Sequence, residues 1–420
     1  MLGGRKVATL GGNKLKDNYS LAFDGTDNLI NCGDVLDQGT GNFSVSVWFK
    51  VTSGIAQYDT LVSKRESGTL GWQMDIRGTD PWKIGFAYDD DTTTKTILGS
   101  TSILEDTWNH FVIVIDRTGA NKILGYLNGV EDASVSAISS LNTISNSAPF
   151  SIGGKLEEDD TRQNMFVGNI SEVAFYDTVL SAAHVKTIYN GRQPYNHKKG
   201  IKTSNLKAWW RMGDGTLDGS SQITGDTDDS PQDNIISDEV TSNLGAELYT
   251  SANSMSTNEA DDQSTGLTVI SGCTVANETS VTNGSSNSLK YTATGNADGI
   301  MIDLTSDIDL TPGSLYKVSI DARHIGLGGI QSIRLTEQHG LGTTGETLEI
   351  VDISNSMTTF VTYTAYFIHN DTTTRYFGAR ETSGTDNGGL YLDNLSVREV
   401  NGNAGIMHNM DFEDFVGDTP

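Results

Sequence analysis

Apolar residues in this chain alternate with polar ones in short runs, and the runs end in clusters of Gly, Asn, Asp and Ser. In Phe43-Ser44-Val45-Ser46-Val47-Trp48-Phe49 the side chains of Phe43, Val45, Val47 and Phe49 share one face, because successive residues of a strand point to opposite sides. Similar strand-like runs occur at Ser20 to Phe23, Trp108 to Ile115, Ser288 to Thr292, Leu315 to Ala322, Thr359 to Phe367 and Gly389 to Val397. A chain punctuated in this way folds as many strands joined by tight turns. Asn128-Gly129, between Leu127 and Val130, is the preferred filling of a two-residue hairpin turn.

One segment breaks the period. Leu180 to Gly191 has Ser181 where a helix is capped and Gly191 where it should stop. Val185, Ile188 and Tyr189 form one apolar stripe. The fold class expected is therefore all-β, with one short helix after the last strands of a first sandwich.

At 420 residues the chain exceeds one ordinary sandwich, and two jelly-roll sandwiches in tandem account for it. The expected divisions are an N-terminal arm at 1–18, a first sandwich at 19–215, an acidic linker or long loop at 216–243, a second sandwich at 244–400, and a tail at 401–420. Such a tail is ordered only if it packs on something, and the first domain is the candidate.

Charge narrows the partners. The chain carries 28 basic and 54 acidic residues, a net charge of −26, which repels phosphate backbones and argues against nucleic acid. No run approaches the roughly 20 apolar residues of a spanning helix, so membrane insertion is not expected. Met1 to Val7 holds two basic residues with no apolar run behind them, so no secretory signal is expected. The two cysteines, Cys32 and Cys273, fall in different modules and read as buried free thiols. The seven His are scattered and lack zinc-site spacing.

Three resemblances add to this reading. Ser20 to Ile30, the strand Phe43 to Lys50, and Gly168-Asn169-Ile170-Ser171-Glu172-Val173-Ala174-Phe175-Tyr176-Asp177, followed by the capped helix, resemble the laminin-G-like, concanavalin A-like sandwich family. Glu247-Leu248, Ser288 to Tyr291, Leu310-Thr311-Pro312-Gly313-Ser314-Leu315-Tyr316 and Leu390 to Val397 are similar to the jelly-roll carbohydrate-binding modules of the xylan- and glucan-binding kind. Leu206-Lys207-Ala208-Trp209-Trp210-Arg211-Met212-Gly213-Asp214-Gly215 resembles a stretch of laminin-G-like structural proteins of marine bacteriophages. The tail segments Gly405 to Met410 and Asp418-Thr419-Pro420 resemble the piece that usually follows it closely. Their wide separation here implies that the second sandwich is inserted into the terminal strap of the first.

Candidate sites follow. Concanavalin-like glucanases carry two carboxylates flanking the glycosidic bond. The nearest pair here, Glu172 with Asp177, lies five residues apart and so on opposite faces of a regular strand. Glu349 with Asp352 fails on the same parity, and no catalytic residues are assigned. For a structural Ca²⁺ the first module offers Asp24, Asp27 and Asp177, hard oxygen ligands from an early turn and a late strand. The alternative is solvated turn carboxylates, with Asp24 capping its own turn. The second resemblance implies a Ca²⁺ between Glu247 and Asp393. Glycan contact needs aromatic faces with nearby polar groups. Trp82, in the loop Asp80-Pro81-Trp82, and Trp72 are candidates in the first module, although most Trp in a sandwich are core. Tyr376, His324 and Arg380 are candidates in the second.

The function expected is a non-enzymatic bacteriophage virion surface protein (a head fibre, decoration protein or tail appendage) with adhesive, glycan-binding sandwiches. Its partners would be other virion proteins and host-surface glycans. It would assemble in the host cytoplasm as a homo-oligomer and reside on the virion surface. Two alternatives stay open: a purely architectural virion protein that binds no sugar, and a bacterial accessory module that binds carbohydrate.

Overall fold

The computed structural model describes residues 15, 17–78, 81–215, 218, 235–249, 267–284, 288–295, 297–306, 308, 310–312, 314–336, 339–341, 347–369, 374–382, 388–408, 410 and 414–420. Most of the arm, most of the acidic stretch 216–234, and Asp80, Gly313 and Asn409 lie outside the described residues.

The described chain is almost entirely strand. The first module opens with β1 (Ser20–Asp24), β2 (Leu29–Asn31), β3 (Phe43–Val51), β4 (Thr60–Arg65), β5 (Gly71–Arg77), β6 (Lys83–Asp89) and β7 (Thr94–Leu98). It continues with β8 (Asn109–Asp116), β9 (Lys122–Leu127), β10 (Val130–Ser136), β11 (Ser151–Ile152), β12 (Lys155–Leu156), β13 (Arg162–Gln163) and β14 (Val167–Tyr176). The helix α1 (Ala182–Tyr189) and β15 (Leu206–Trp210) follow, then β16 (Ile235–Ile236). The second module holds β17 (Asn243–Glu247), β18 (Leu267–Ile270), β19 (Thr274–Glu278), β20 (Ser288–Thr292), β21 (Gly299–Asp303) and β22 (Leu315–His324). It ends with β23 (Gln331–Thr336), β24 (Thr347–Ile353), β25 (Val361–Ile368), β26 (Tyr376–Glu381) and β27 (Gly389–Asn401). The chain closes with β28 (Gly405–His408) and β29 (Phe415–Val416).

These strands form two pairs of facing sheets, with β12 and β13 pairing apart from them as a small ribbon. The first module stacks β10-β9-β8-β3-β14-β1-β29, with β15 beside β14, on β16-β28-β2-β11-β4-β5-β6-β7. The second stacks β19-β20-β27-β22-β25, with β17 beside β27, on β18-β21-β26-β23-β24. Each pair encloses its own apolar core. The sheets of the first module are completed from outside residues 19–215. β16 comes from the acidic stretch, where Ile235 and Ile236 are buried, and β28 and β29 come after the second module. A small cluster of Ile235, Tyr366 and Val400, with Leu244, Leu315 and Ala404 around it, joins the two modules.

Local rules explain the connections. The β9–β10 hairpin turns on Asn128 (φ 52) and Gly129 (φ 79), the pair of positive φ values that an Asn-Gly turn of this kind requires. The Ser181 side chain accepts from the His184 amide at the start of α1, and left-handed Asn190 closes it one residue before Gly191. Val185 and Ile188 of the helix, with Leu180, Tyr195 and Trp209, cover the outer face of the first sheet over Val112, Val114 and Tyr176. The middle strands of that sheet are thus buried on both sides, while β10 stays largely exposed. The second sheet keeps an outer face over β4 to β7.

Several strands depart from the simple period through register shifts, β14 among them. Glu172 adopts φ 50, and the β14 ladder shifts register between Ser171 and Ala174. The extra residue makes a β-bulge, so the face that Ile170 presents to the core passes to Val173 and Phe175. The parity argument for Glu172 and Asp177 therefore fails locally. Five residues of strand still separate the two by about 15 Å, too far for either glycosidase arrangement.

Candidate functional site

The strand Gly71–Arg77 buries Trp72, Met74 and Ile76 in the first core. Period two then turns Gln73, Asp75 and Arg77 to the outer face of the sheet. The ladder sets Gly71 against Asp89, Gln73 against Ala87, Asp75 against Gly85 and Arg77 against Lys83. On the other side Arg65 stands opposite Gly71, and on β7 Thr94, Thr96 and Leu98 stand opposite Asp89, Ala87 and Gly85. The result is a low floor of glycine and alanine with long polar side chains laid across it.

The polar groups are linked in a chain. Arg77 Nε and Nη2 donate to the two Asp75 oxygens at 2.6 and 3.0 Å, and Gln73 Nε2 donates to Asp75 Oδ2 at 2.8 Å. Arg65 Nη1 donates to Gln73 Oε1 at 3.4 Å and lies 4.0 Å from Asp89. The Arg77 guanidinium sits 5.4 Å over the ring of Tyr58, which is 43% exposed at the rim. Burial raises the Asp75 carboxyl above its usual range, and Arg77 opposes that shift. Burial also lowers the Arg65 guanidinium, against the pull of Asp89. Fixed planar guanidinium and amide groups beside an aromatic rim are the equipment for hydroxyl-rich ligands.

Gly85 makes this arrangement possible. A Cβ there would lie 2.2 Å from Asp75 Oδ1 and 2.5 Å from the Arg77 side chain. Gly85→Ala should push the ion pair off the floor and lower stability by about 1–3 kcal/mol. Thermal melting of the variant checks this.

Asp75 and Asp89 are the two carboxylates of the face. Four residues of strand and one strand spacing place them about 14 Å apart, outside both glycosidase separations.

The residues named from the sequence fall as follows. Trp72 is 1% exposed in the core and presents no ring to a ligand, the cost of the parity that exposes its neighbours. Trp82 is half-buried against the same core and bridges Ile103. Asp24, Asp27 and Asp177 do not converge. Asp24 pairs with Val167 at one end of β14, while Asp177 follows the other end about 30 Å away. Asp24 accepts from the amides of Thr26 and Asp27, a self-capped turn. Asp177 is engaged by Asn205 at 2.8 Å and Lys207 at 3.0 Å. Glu247 and Asp393 are also apart. Glu247 takes the Val397 amide at 2.7 Å and Arg398 at 3.1 Å, whereas Asp393, fully buried, takes the amides of Asn283 and Asn394 at 2.8 Å. Neither carboxylate set forms the Ca²⁺ site expected of it. Among the described residues no group of three or more His, Cys, Asp or Glu side chains is arranged to hold a metal.

In the second module His324 is buried on β22, bonded to the Gly329 carbonyl and the Gly326 amide, away from the other two candidates. Tyr376 and Arg380 share the outer face of β26, because Phe377 and Ala379 take the core. There the chain's own residues 339–341 meet them. The His339 ring packs edge-on to Tyr376 at 5.4 Å, and Arg380 Nη1 donates to the carbonyls of Gly340 and Leu341 at 3.2 and 2.8 Å. Arg334, which sequence reasoning missed, donates to the same Leu341 carbonyl at 3.1 Å. Burial and the Arg334 charge lower the Arg380 guanidinium. Leu341 holds φ 53, a left-handed conformation that costs a branched residue about 1–2 kcal/mol.

Residues 24–186 match the family described as the Concanavalin A-like lectin/glucanases superfamily. Among solved structures the chain is similar to a putative carbohydrate binding protein from Bacteroides ovatus, with 16% identity, 53% of this chain and 56% of that chain covered, and a TM-score of 0.38. It is similar also to the heptameric SAP-like pentraxin from Limulus polyphemus, at 15% identity, 41% and 82% coverage and TM-score 0.35. A third likeness is to the CBM22-1 xylan-binding domain of Paenibacillus barcinonensis Xyn10C, at 12% identity, 38% and 96% coverage and TM-score 0.29. No curated protein matches the chain. Over residues 24–186 the chain is similar to that family, and the described chain is almost all-β, built as sandwich-like jelly-roll domains.

Proposed function

We propose that this chain is a non-enzymatic adhesive protein that holds glycan on the outer face of β4 to β7. The observation that carries the reading is the chain of Arg65, Gln73, Asp75 and Arg77 laid over glycine and alanine on a sheet face the helix layer does not cover, where the two guanidinium groups and the Tyr58 ring reach the surface above the buried Gln73 and Asp75. Its donors are fixed before any ligand arrives, which lowers the entropy cost of binding. The carboxylate separations on this face and along β14 speak against hydrolysis.

The setting proposed is the surface of a bacteriophage virion, as a head fibre, decoration protein or tail appendage assembled beside other virion proteins as a homo-oligomer. What supports it is the resemblance of Leu206 to Gly215 and of the tail to marine phage structural proteins. The gene's neighbourhood tests it: portal and capsid genes are expected alongside.

The full chain on a glycan array tests the binding. Tyr58→Ala and Arg65→Gln, both at the accessible edge of the face, should each weaken the recognised glycan at least tenfold without lowering the melting temperature by more than a few degrees. Undiminished binding in both variants would move the site elsewhere. Binding to no glycan, with copurification in particles, would favour the architectural role.

A further inference from the structure

The two modules meet along a seam that keeps a cleft of about 370 Å³. One wall is the first module's, from Asn31 at the end of β2 and Ile406 of β28, which stand opposite each other in the ladder. The other wall is the second module's, from Ser314 before β22 and from Glu399 and Asn401 at the end of β27. The β28 strand can lie this close to β2 because Gly405 has no side chain: a Cβ there would fall 2.3 Å from Ile30 and 2.9 Å from the Cys32 sulfur. The Trp210 indole holds the Asn403 carbonyl at 2.8 Å, between the lining residues Gly402 and Ala404, so the strap that joins the walls is fixed. Leu315, Val400 and Ala404 belong both to the cleft and to the small cluster that joins the modules. Ligand sites favour such seams, at volumes of roughly 300–1,000 Å³, with a mainly apolar lining and a few placed polar groups.

We propose that this cleft binds one neutral sugar residue, held by Glu399 and the side-chain amides of Asn31 and Asn401. Ser314 Oγ donates to Glu399 Oε1 at 2.7 Å and sets the carboxylate in place. Asn31 Oδ1 accepts the Gly33 amide at 2.8 Å, which turns its Nδ2 to the donor's role. Asn401 Nδ2 donates to Asn243 Oδ1 at 3.4 Å, which leaves its Oδ1 to accept. A carboxylate, an amide donor and an amide acceptor are the complement of neighbouring hydroxyls, and Leu315, Val400 and Ile406 suit the C–H face of a ring. Among the described residues no Lys, Arg or His lines the cleft, so a sugar acid would meet Glu399 without a counter-charge. The lining also has no aromatic ring and no second carboxylate, the usual means of holding an organic cation. The polar groups are fixed in advance, which lowers the entropy cost of binding. The cleft is separate from the β4 to β7 face and does not depend on it. Because its walls belong to different modules, a bound sugar would tie the two sandwiches together.

The test titrates the full chain with the methyl glycosides of glucose, galactose and mannose, and separately with glucuronate and tetramethylammonium. The readout is the NMR shift of the Gly33 and Gly402 amides, one on each wall. At least one neutral glycoside should move both amides at millimolar concentration, while glucuronate and tetramethylammonium should move neither. Glu399→Gln keeps the size of the side chain and removes its charge, and it should weaken that glycoside at least tenfold. Ala404→Leu fills the cleft and should abolish the shifts. No response to any of the three glycosides would overturn the proposal, as would unchanged affinity in Glu399→Gln. A response to tetramethylammonium alone would make the cleft a cation site and would overturn it equally. Tyr58→Ala and Arg65→Gln leave the cleft intact, so lost array binding in those variants and lost shifts in Glu399→Gln remain separate results.

Discussion

A chain ended after Asn401 should lose the first sandwich while keeping the second. The last residues look like a tail in the sequence, yet they supply β28 between β16 and β2 and β29 beside β1. Met407 and Met410 enter the first core, and the Trp210 indole donates to the Asn403 carbonyl at 2.8 Å. Asp418 receives Lys50 and the Trp108 indole, and Ser20 donates to its carbonyl at 2.7 Å. Removing buried Met or Ile side chains costs about 2–5 kcal/mol each, and the ladder bonds go with them. The sum is comparable to the roughly 5–15 kcal/mol that holds a whole domain together. The outcome can be read cleanly because all six tryptophans precede residue 211. Tryptophan emission therefore reports the first module alone, and it should shift to the red and lose its cooperative melt. Far-UV circular dichroism should keep the strand signal of the second module. A truncated chain with native emission and an unchanged melt would refute this account of the tail.

The second large effect concerns acid. Asp17, on the strap leading into β1, lies beside the fully buried Glu172 of the bulge. Glu172 takes the Trp209 indole at 2.5 Å and Arg211 at 3.2 Å. Asp214, on the same cluster, takes the amide and side chain of Asn18, and Arg211 donates to its carbonyl. Both Asp17 oxygens are buried without a hydrogen-bond donor among the described residues. Burial, then the Asp214 charge, pushes Asp17 up to about 7. Burial, then Asp17, holds Glu172 well above the usual carboxylate range. One Arg211 guanidinium cannot balance three carboxylates, so a proton is retained between Asp17 and Glu172. The folded state thus binds protons that the unfolded chain releases near pH 4. Its contribution to stability is full below that pH and is lost as pH rises through about 7. Asp17→Asn removes the titration, so it should melt several degrees above wild type at pH 8 and converge with it near pH 4. A pH-independent difference would mean that the two carboxyls do not share a proton.

Much of the architecture was legible because strand alternation, Asn-Gly turns and helix caps are local. Phe43 to Phe49, Asn128-Gly129 and Ser181 each declared their element from a few residues. The site was less legible because parity divides a strand into two faces without saying which one meets the core. Trp72 drew attention as an aromatic, and the structure buries it, while Gln73, Asp75 and Arg77 on the opposite parity form the candidate face. Glu172 was misjudged because a single left-handed residue inverts the period, and nothing in its neighbours announces the bulge. The separations of Asp24 from Asp177 and of Glu247 from Asp393 depend on which strand ends meet. That is a property of long-range pairing, which one sequence does not display.

The chain enters and leaves the first sandwich side by side: β1 pairs with β29, and the Thr419 hydroxyl reaches the Asp17 carbonyl. Tension applied through both ends would therefore peel β29 from β1 first, one bond at a time, and would pass the second sandwich by. Under such a load the outlying module keeps its shape while the inner one yields.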